Sequence, residues 1–409
     1  MFKKFALTGD GIWSGANAAA VVLVLASLGV VIFALVERQS PPEPVQSIAD
    51  AELAKEENDI PESLIDPPRN FTLAAVGDIM LARRVAKKIE SLGVDFPFEY
   101  VTELLSEADL TFGNLESPIS SLGTAVKGKE VTIKASPQTI DGIKSAGIDV
   151  LSLANNHAMD YGDAALMETM DILAHNGIAY IGAGANSAAA RRPASFEING
   201  IKVLFLAYSY RFHMVVEAQQ EHPGVAIACG EDVKADIEKA KERADIVIVS
   251  FHWGWEYSDH PDKETRELAH LAVESGANLV IGHHPHVIQG VEVYRGGLIC
   301  YSLGNFIFDQ RGTRTRRGLI LRCSIGKSDV QRVELLPVII DAMNLQPSLA
   351  TGEVAESILI ELKRLSKQLG TTLKLEENVA VIDLATELDM VYNRDNTFDE
   401  YSHGLARIY

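Results

Sequence analysis

Eight polar side chains of this sequence fall where they could do chemistry together. Asp78, Glu116, Asn155, Asn156, His157, His252, His284 and His286 each follow an apolar run. Such runs read as buried strands. In an open α/β sheet the carboxyl ends of the strands line one crevice. The spacing therefore predicts carboxylates, amides and imidazoles converging at one sheet edge. Oxygen and imidazole donors without thiolate suit a divalent metal such as Mn, Fe or Zn better than they suit a structural zinc site. Each residue alone has an ordinary role. Asp78 can cap a helix, Glu116 can orient the turn at Ser117-Pro118, and the asparagines can satisfy backbone groups. His252 can pack beside Trp253, and His283, His284 and His286 can belong to a solvated loop. Those separate roles do not explain why so many strand ends each deliver a metal-compatible side chain.

The elements that must position these residues alternate. Strands are expected at 71–76, 109–112, 150–154, 246–251 and 279–281, and helices at 85–92, 164–175, 234–243 and 263–275. Ser136-Pro137 opens a further helix, with serine as cap and proline in the first turn. Asn199-Gly200 joins two apolar runs as a hairpin. A second hairpin runs through Arg295-Gly296-Gly297, closing strands are expected at 317–325 and 330–340, and an amphipathic helix covers 353–369. Strands and helices in alternation, broken by hairpins, imply a layered α/β domain with a mixed sheet.

The chain carries 37 basic and 56 acidic residues, a formal net charge of −19. With no global positive field to release counterions, nucleic acid is excluded as a general partner. Cys229, Cys300 and Cys323 form no CxxC pair, which excludes a zinc finger or thioredoxin-like motif. Residues 16–36 hold no charged side chain, and Lys3 and Lys4 precede them. That length suits one transmembrane helix. The basic flank predicts a cytoplasmic N-terminus and an extracytoplasmic body at the cell membrane. A cleaved signal peptide is disfavoured by the long apolar run and by Ala34-Leu35-Val36 at its end. The expected organisation is thus a cytoplasmic segment 1–15, an anchor 16–36, a proline-rich acidic linker 37–70, a domain 71–345 and a C-terminal extension 346–409.

The segments AAVGDIML, FGNLESPI, LSLANNHAMDYG, FHWGWEY, GHHPHVIQG and YSLGNFIFD together resemble the CapA family of poly-γ-glutamate capsule proteins, from about Phe71 to Asp309. That family is similar in fold to the calcineurin-like metallophosphoesterases. The resemblance implies a four-layer α/β/β/α sandwich with one or two metal ions. It implies Asp78, Glu116, Asn156, His252, His284 and His286 as metal ligands and His157 as the catalytic histidine, with the extra His283 leaving the register of the closing His-x-His open. Asn155 is expected to help bind substrate. Two departures stand out. Met80 occupies the position where the superfamily usually has histidine, and Glu116 stands where an aspartate bridges the metals.

Three functions follow as expectations. One is metal-dependent hydrolysis of a phosphoester, with transfer or hydrolysis at a γ-glutamyl amide as its variant. Another is a non-catalytic part in synthesis or export of the anionic capsule polymer, partnered by the polymer or by a membrane-bound synthase complex. The third is a general cell-surface phosphoesterase. A protein of net charge −19 needs concentrated positive charge to meet a polyanion. Arg311, Arg314, Arg316 and Arg317 supply it on a loop expected to border the crevice. Arginine pairs bidentately with carboxylate or phosphate. The alternative is a solvated loop.

Overall fold

Apolar runs set the strands, and the chain folds them into two facing sheets. The structure is a computed structural model and describes residues 70–210 and 215–384. The expected anchor and the linker up to Arg69 lie outside the described residues. Among the described residues no helix is long and apolar enough to cross a membrane.

In chain order the first half holds strands β1 (Phe71–Ile79), β2 (Leu110–Leu115), β3 (Val150–Ser152), β4 (Ala179–Ile181), β5 (Ala183–Gly184), β6 (Ala194–Ile198) and β7 (Ile201–Ser209). The second half adds β8 (Gly224–Val225), β9 (Ile246–His252), β10 (Leu279–His283), β11 (Val291–Tyr294), β12 (Gly297–Cys300), β13 (Asn305–Ile307), β14 (Arg317–Ile325), β15 (Val330–Ile340), β16 (Pro347–Leu349), β17 (Lys374–Glu376) and β18 (Val379–Asp383). The helices are α1 (Arg83–Leu92), α2 (Thr102–Ser106), α3 (Thr139–Ser145), α4 (Asp163–His175), α5 (Ser187–Ala190), α6 (Gly230–Lys241), α7 (Lys263–Glu274) and α8 (Gly352–Gln368).

The larger sheet runs β17-β18-β15-β14-β1-β2-β3-β4, with β13 paired to β1 and β16 to β15. The second sheet runs β11-β12-β10-β9-β7-β6. Strands β1 to β4 are parallel, as are β7, β9, β10 and β12, while β14, β15 and β18 are antiparallel. The fold is therefore mixed α/β, with parallel centres and antiparallel flanks. Alternate residues of the facing strands, such as Leu73, Phe112, Val203, Phe205, Ile248 and Ile281, form one core between the sheets. The opposite faces are covered by helices. Val85, Ile143 and Leu166 pack on the larger sheet, and Val233, Ile237 and Ala269 on the smaller. Strands buried on both faces, as β1, β9 and β10 are along nearly their whole length, and a single buried stripe per helix give this layering directly. Of the stretch read as a C-terminal extension, residues 346–384 enter the same sheet through β16, β17 and β18, and Leu359 and Leu362 of α8 join the inter-sheet core, while 385–409 lie outside the described residues.

All three cysteines are free, with Cys300 and Cys323 buried and Cys229 exposed. Burial pushes the Cys300 and Cys323 thiols up, as expected of inert core residues.

Candidate metal centre

Two glycines let the strand ends close on each other. A Cβ on Gly77 would lie 2.0 Å from the Gly304 carbonyl oxygen. A Cβ on Gly282 would lie 2.0 Å from the Tyr301 carbonyl oxygen. No other residue fits either position. The first contact lets the Asp78 amide donate to Gly304 at 3.0 Å, which registers Asp78 beside Asn305. The second lets β10 deliver His283 beside His252, its partner in register on β9. His252 is held from behind. Trp253 stacks on Phe251 at 4.6 Å, and its indole N–H donates to the Tyr301 carbonyl at 3.0 Å.

The structure brings Asp78, Glu116, Asn156, His252, His284 and His286 together where β1, β2, β3, β9 and β10 end. Asp78 accepts a hydrogen bond from Asn114 Nδ2 at 2.8 Å. Its two oxygens lie 3.3 Å from His283 Nδ1 and 3.3 Å from His286 Nδ1. Those imidazoles hold the Asp78 carboxyl well below its usual range despite the upward push of burial. On the other side His252 Nε2 lies 3.0 Å from Asn156 Oδ1, 3.1 Å from His284 Nδ1 and 3.4 Å from Glu116 Oε1. Burial lowers the pKa of His284 to about 3, with the neighbouring His286 adding to it, and depresses His252 likewise. Both therefore present neutral rings with lone pairs. His284 and His286 sit at φ 97° and 56°, in the left-handed region that such residues seldom adopt. Strain of this kind concentrates at functional sites.

Glu116 joins the two halves. It is fully buried, and neither carboxylate oxygen makes a hydrogen bond. Ligand atoms of Asp78, Glu116 and His286 all lie within 4.8 Å of one another. Burial first, and then the charge of Asp78, pushes the Glu116 carboxyl well above its usual range. A bare carboxylate in such a place is costly. A divalent cation is the partner that oxygen and imidazole donors of this kind lack, so the residues present fit one. Met80 does not take part in the same way. It is buried in the core beneath the helices, and its sulfur accepts the Ala82 amide at 3.2 Å.

His157 stands beside this cluster rather than in it. Its Nδ1 lies 2.7 Å from Asp160 Oδ2, which leaves Nε2 as the nitrogen for other work. Asp160 is fully buried; it also pairs with the Lys129 ammonium and accepts the Ile133 amide at 2.7 Å. Burial lowers the His157 pKa, and Asp160 offsets part of that.

Asn155, expected to help bind substrate, is tied into the protein itself. Its amide donates to Asn114 Oδ1 at 3.2 Å and to the Leu115 carbonyl at 2.8 Å, and its oxygen accepts the His157 amide at 3.0 Å. With its donors and acceptor engaged inside the protein, it frames the site. The arginines also divide. Arg314 pairs with Asp259, and Arg317 pairs with Glu361 at 3.1 Å and donates to Ser357 at 3.2 Å. Arg316 reaches the Ile340 carbonyl at 3.4 Å, and with Arg311 and Arg84 it lines a cleft. The loop does border the centre. Asn305 donates to the Thr315 carbonyl at 2.8 Å, and its oxygen lies 2.9 Å from His286 Nδ1.

Sequence reasoning missed Asn114, Asp160, Asn305 and Arg83. The first three are polar residues within or just beside motif segments already singled out. Arg83 carries no such signal. It sits at φ 53°, pairs with Asp309 and covers the Phe308 ring, which packs 4.8 Å from His286.

Fold and centre together define a mixed α/β protein with a buried carboxylate–imidazole cluster at the meeting edges of two sheets. Residues 72–310 match the sequence model of the family described as "Bacterial capsule synthesis protein PGA_cap". The chain is 34% identical over 311 residues to the "PGA biosynthesis protein CapA" of Bacillus subtilis, covering 76% of this chain and 81% of that one. It is 33% identical over 284 residues to the "Capsule biosynthesis protein CapA" of Bacillus anthracis, covering 68% and 69%. A "probable polyglutamine synthesis accessory protein" of Mycobacterium tuberculosis is 29% identical over 321 residues, covering 72% and 83%. This chain belongs to the PGA_cap family. Among solved structures, a 5'-nucleotidase precursor from Thermus thermophilus superposes with a TM-score of 0.37 at 12% identity, covering 74% of this chain and 60% of that one. That likeness is too distant to carry an argument.

Proposed function

We propose that this protein acts in synthesis or export of poly-γ-glutamate through a divalent-metal centre of calcineurin-like metallophosphoesterase type. The anchor at 16–36 holds it at the cell membrane with its body outside, beside the polymer or its synthase complex. The observation that carries the metal is Glu116, a buried carboxylate between Asp78 and His252 whose oxygens make no hydrogen bond. Asp78, Glu116 and His286 would hold one ion. Glu116, Asn156, His252 and His284 are the donors for a second. When bound, such an ion acidifies water and polarises a phosphoryl or acyl oxygen. The protein's own part is positional. Asn114 fixes Asp78, and Asn305 fixes His286. His157, oriented by Asp160, is placed to deliver a proton to a leaving group. The test is metal analysis of the purified protein, followed by a turnover screen on phosphoesters and γ-glutamyl amides with and without Mn, Fe or Zn. Absence of bound metal after growth and reconstitution with all three ions would end the metal reading.

The non-catalytic reading has one observation in its favour. Met80 packs into the core where a histidine donor is usual in the superfamily, so one ion lacks that ligand. A protein that binds metal and polymer yet turns over nothing in the screen would decide for it.

Metal uptake is expected to release protons. Against the effect of burial, the charges of Glu116 and Asp78 raise the pKa of His286 to about 9. At neutral pH the metal-free ring is therefore protonated, and its proton must leave before Nδ1 or Nε2 can donate to an ion. Affinity should rise with pH until about pH 9 and level off above it. Titration of the metal-free protein with Zn or Mn in two buffers of different ionisation enthalpy measures this release. A pH-independent affinity would show that His286 is not a ligand.

The topology has its own test. Protease added to intact spheroplasts should degrade the body, and protection of the body would place it inside.

A further inference from the structure

A second concentration of positive charge lies apart from the metal centre. It surrounds a hollow of about 470 Å³ between α6 and the junction of α5 with β6. None of the proposed metal-site residues lines it. Arg191 forms one wall and is internally neutralised. Its guanidinium bonds Asp236 at 2.7 and 2.9 Å and lies 2.7 Å from Asp232, while the Tyr208 hydroxyl donates to Asp236 at 2.9 Å. These ties fix the wall in place. Arg192, Lys239 and Arg243 complete the rim. All three are exposed, and they make no ion pair among the described residues.

Lysine and arginine at a helix C-terminus commonly answer the helix dipole. That accounts for Lys239 in the last turn of α6 and for Arg243 just past its C-cap Glu242. It does not account for Arg192, which comes from a different part of the chain and meets them across the same hollow. Nor does it account for three unpaired cations side by side in a chain of net charge −19. The volume falls within the range of about 300–1,000 Å³ that small ligands occupy. It is far more than a single water or a lone carboxylate needs. Among the described residues, none of the large exposed apolar side chains borders it, so it lacks the contacts a lipid surface would use.

We infer that this hollow is a secondary binding site for the carboxylates of an acidic polymer, held by Arg192, Lys239 and Arg243. The inference rests on the capsule-polymer reading above. A site of this kind would retain one stretch of chain while another lies at the metal centre, and avidity would follow from the linkage alone.

The experiment uses the full chain in detergent and fluorescently labelled poly-γ-glutamate, read by anisotropy at low and moderate salt. The variant is Arg192→Gln with Lys239→Gln and Arg243→Gln. These are surface changes that leave the Arg191 ties intact, so melting temperature and metal content should match wild type. Binding should weaken by about fivefold or more, in keeping with three exposed charge contacts, and its salt dependence should flatten. Wild-type affinity and salt response in the variant would overturn the site while leaving the polymer reading intact. A wild-type protein that binds no polymer would overturn both. Labelled polyphosphate is titrated in parallel: a variant that loses polyphosphate binding but retains poly-γ-glutamate binding would assign the hollow to phosphate and also overturn the proposal.

Discussion

Replacing Glu116 with glutamine is expected to move metal affinity and metal-free stability in opposite directions. Glu116 is fully buried, and its oxygens have no hydrogen-bond partner. Without an ion, the side chain either stays charged beside Asp78 or takes up a proton. Both cost free energy. Its raised pKa means that the folded protein binds a proton the unfolded chain has released. Stability of the metal-free protein therefore falls as pH rises from the ordinary glutamate range toward that raised value. His286 acts in the same direction at higher pH. Its contribution is fully present below the unfolded histidine pKa and is lost as pH rises through about 9. Glutamine removes the charge and keeps the shape. The metal-free Glu116→Gln protein should gain stability at neutral pH, by on the order of 1–3 kcal/mol, a part of the several kcal/mol that one uncompensated buried charge costs, because the amide is itself left without a partner. Metal affinity should drop by about a hundredfold or more, since even groups that only support a ligand contribute about 10–100-fold. Added Mn or Zn should then raise the melting temperature of wild type far more than that of the variant. Denaturant melts with chelator and with metal measure both effects. A metal-free variant less stable than wild type, with metal content unchanged, would make Glu116 an ordinary structural residue.

Much of this centre was legible because its residues are polar in places where the chain is otherwise apolar. Gly77-Asp78 and Gly282-His283 each end a run of aliphatic residues, and a strand end is where a parallel sheet presents side chains to a crevice. The pairing that unites the halves was not legible. Glu116 and His252 come within 3.4 Å only because two separate sheets face each other, and no local pattern encodes which sheet a strand joins. The short strands β13 and β4 were unreadable for a related reason. Asn305–Ile307 and Ala179–Ile181 are three residues each, too few to show a period, and they are strands because β1 and β3 offer edges to pair with. The arginine loop was legible as a charged segment next to a motif. Its ion pairs were not, since Asp259 and Glu361 approach it from distant parts of the chain. Asn155 was legible only as a polar residue at a strand end, next to Asn156 and His157 in one segment. Backbone turns after β3 send adjacent side chains different ways, and Asn155 turns toward Asn114.

His157→Asn should abolish most turnover while leaving the metal in place, on any substrate the wild-type protein hydrolyses. His157 makes no bond to the carboxylates of the centre; its Nδ1 bond goes to Asp160 at 2.7 Å. Loss of a positioned acid typically lowers turnover by about 10²–10⁴-fold. Metal content should stay near the wild-type level, because Asp78, Glu116, Asn156, His252, His284 and His286 remain. Asp160 acts through His157, as a positioning residue, and its variant separates proton transfer from mere support. Burial lowers the His157 pKa while the Asp160 charge raises it in part. Removing that charge in Asp160→Asn should lower the pKa further. If His157 delivers a proton, turnover falls as pH rises through its pKa, so the alkaline limb of the pH profile should shift to lower pH in Asp160→Asn. The Lys129 ammonium loses its partner in the same variant, which leaves one more positive charge near the ring and pushes in the same direction. Resetting Lys129 as well, in Lys129→Met with Asp160→Asn, should recover part of the shift. A purely structural Asp160 would lower the rate equally at every pH. A limb that stays fixed while metal content falls in step with activity would transfer His157 from proton delivery to metal holding.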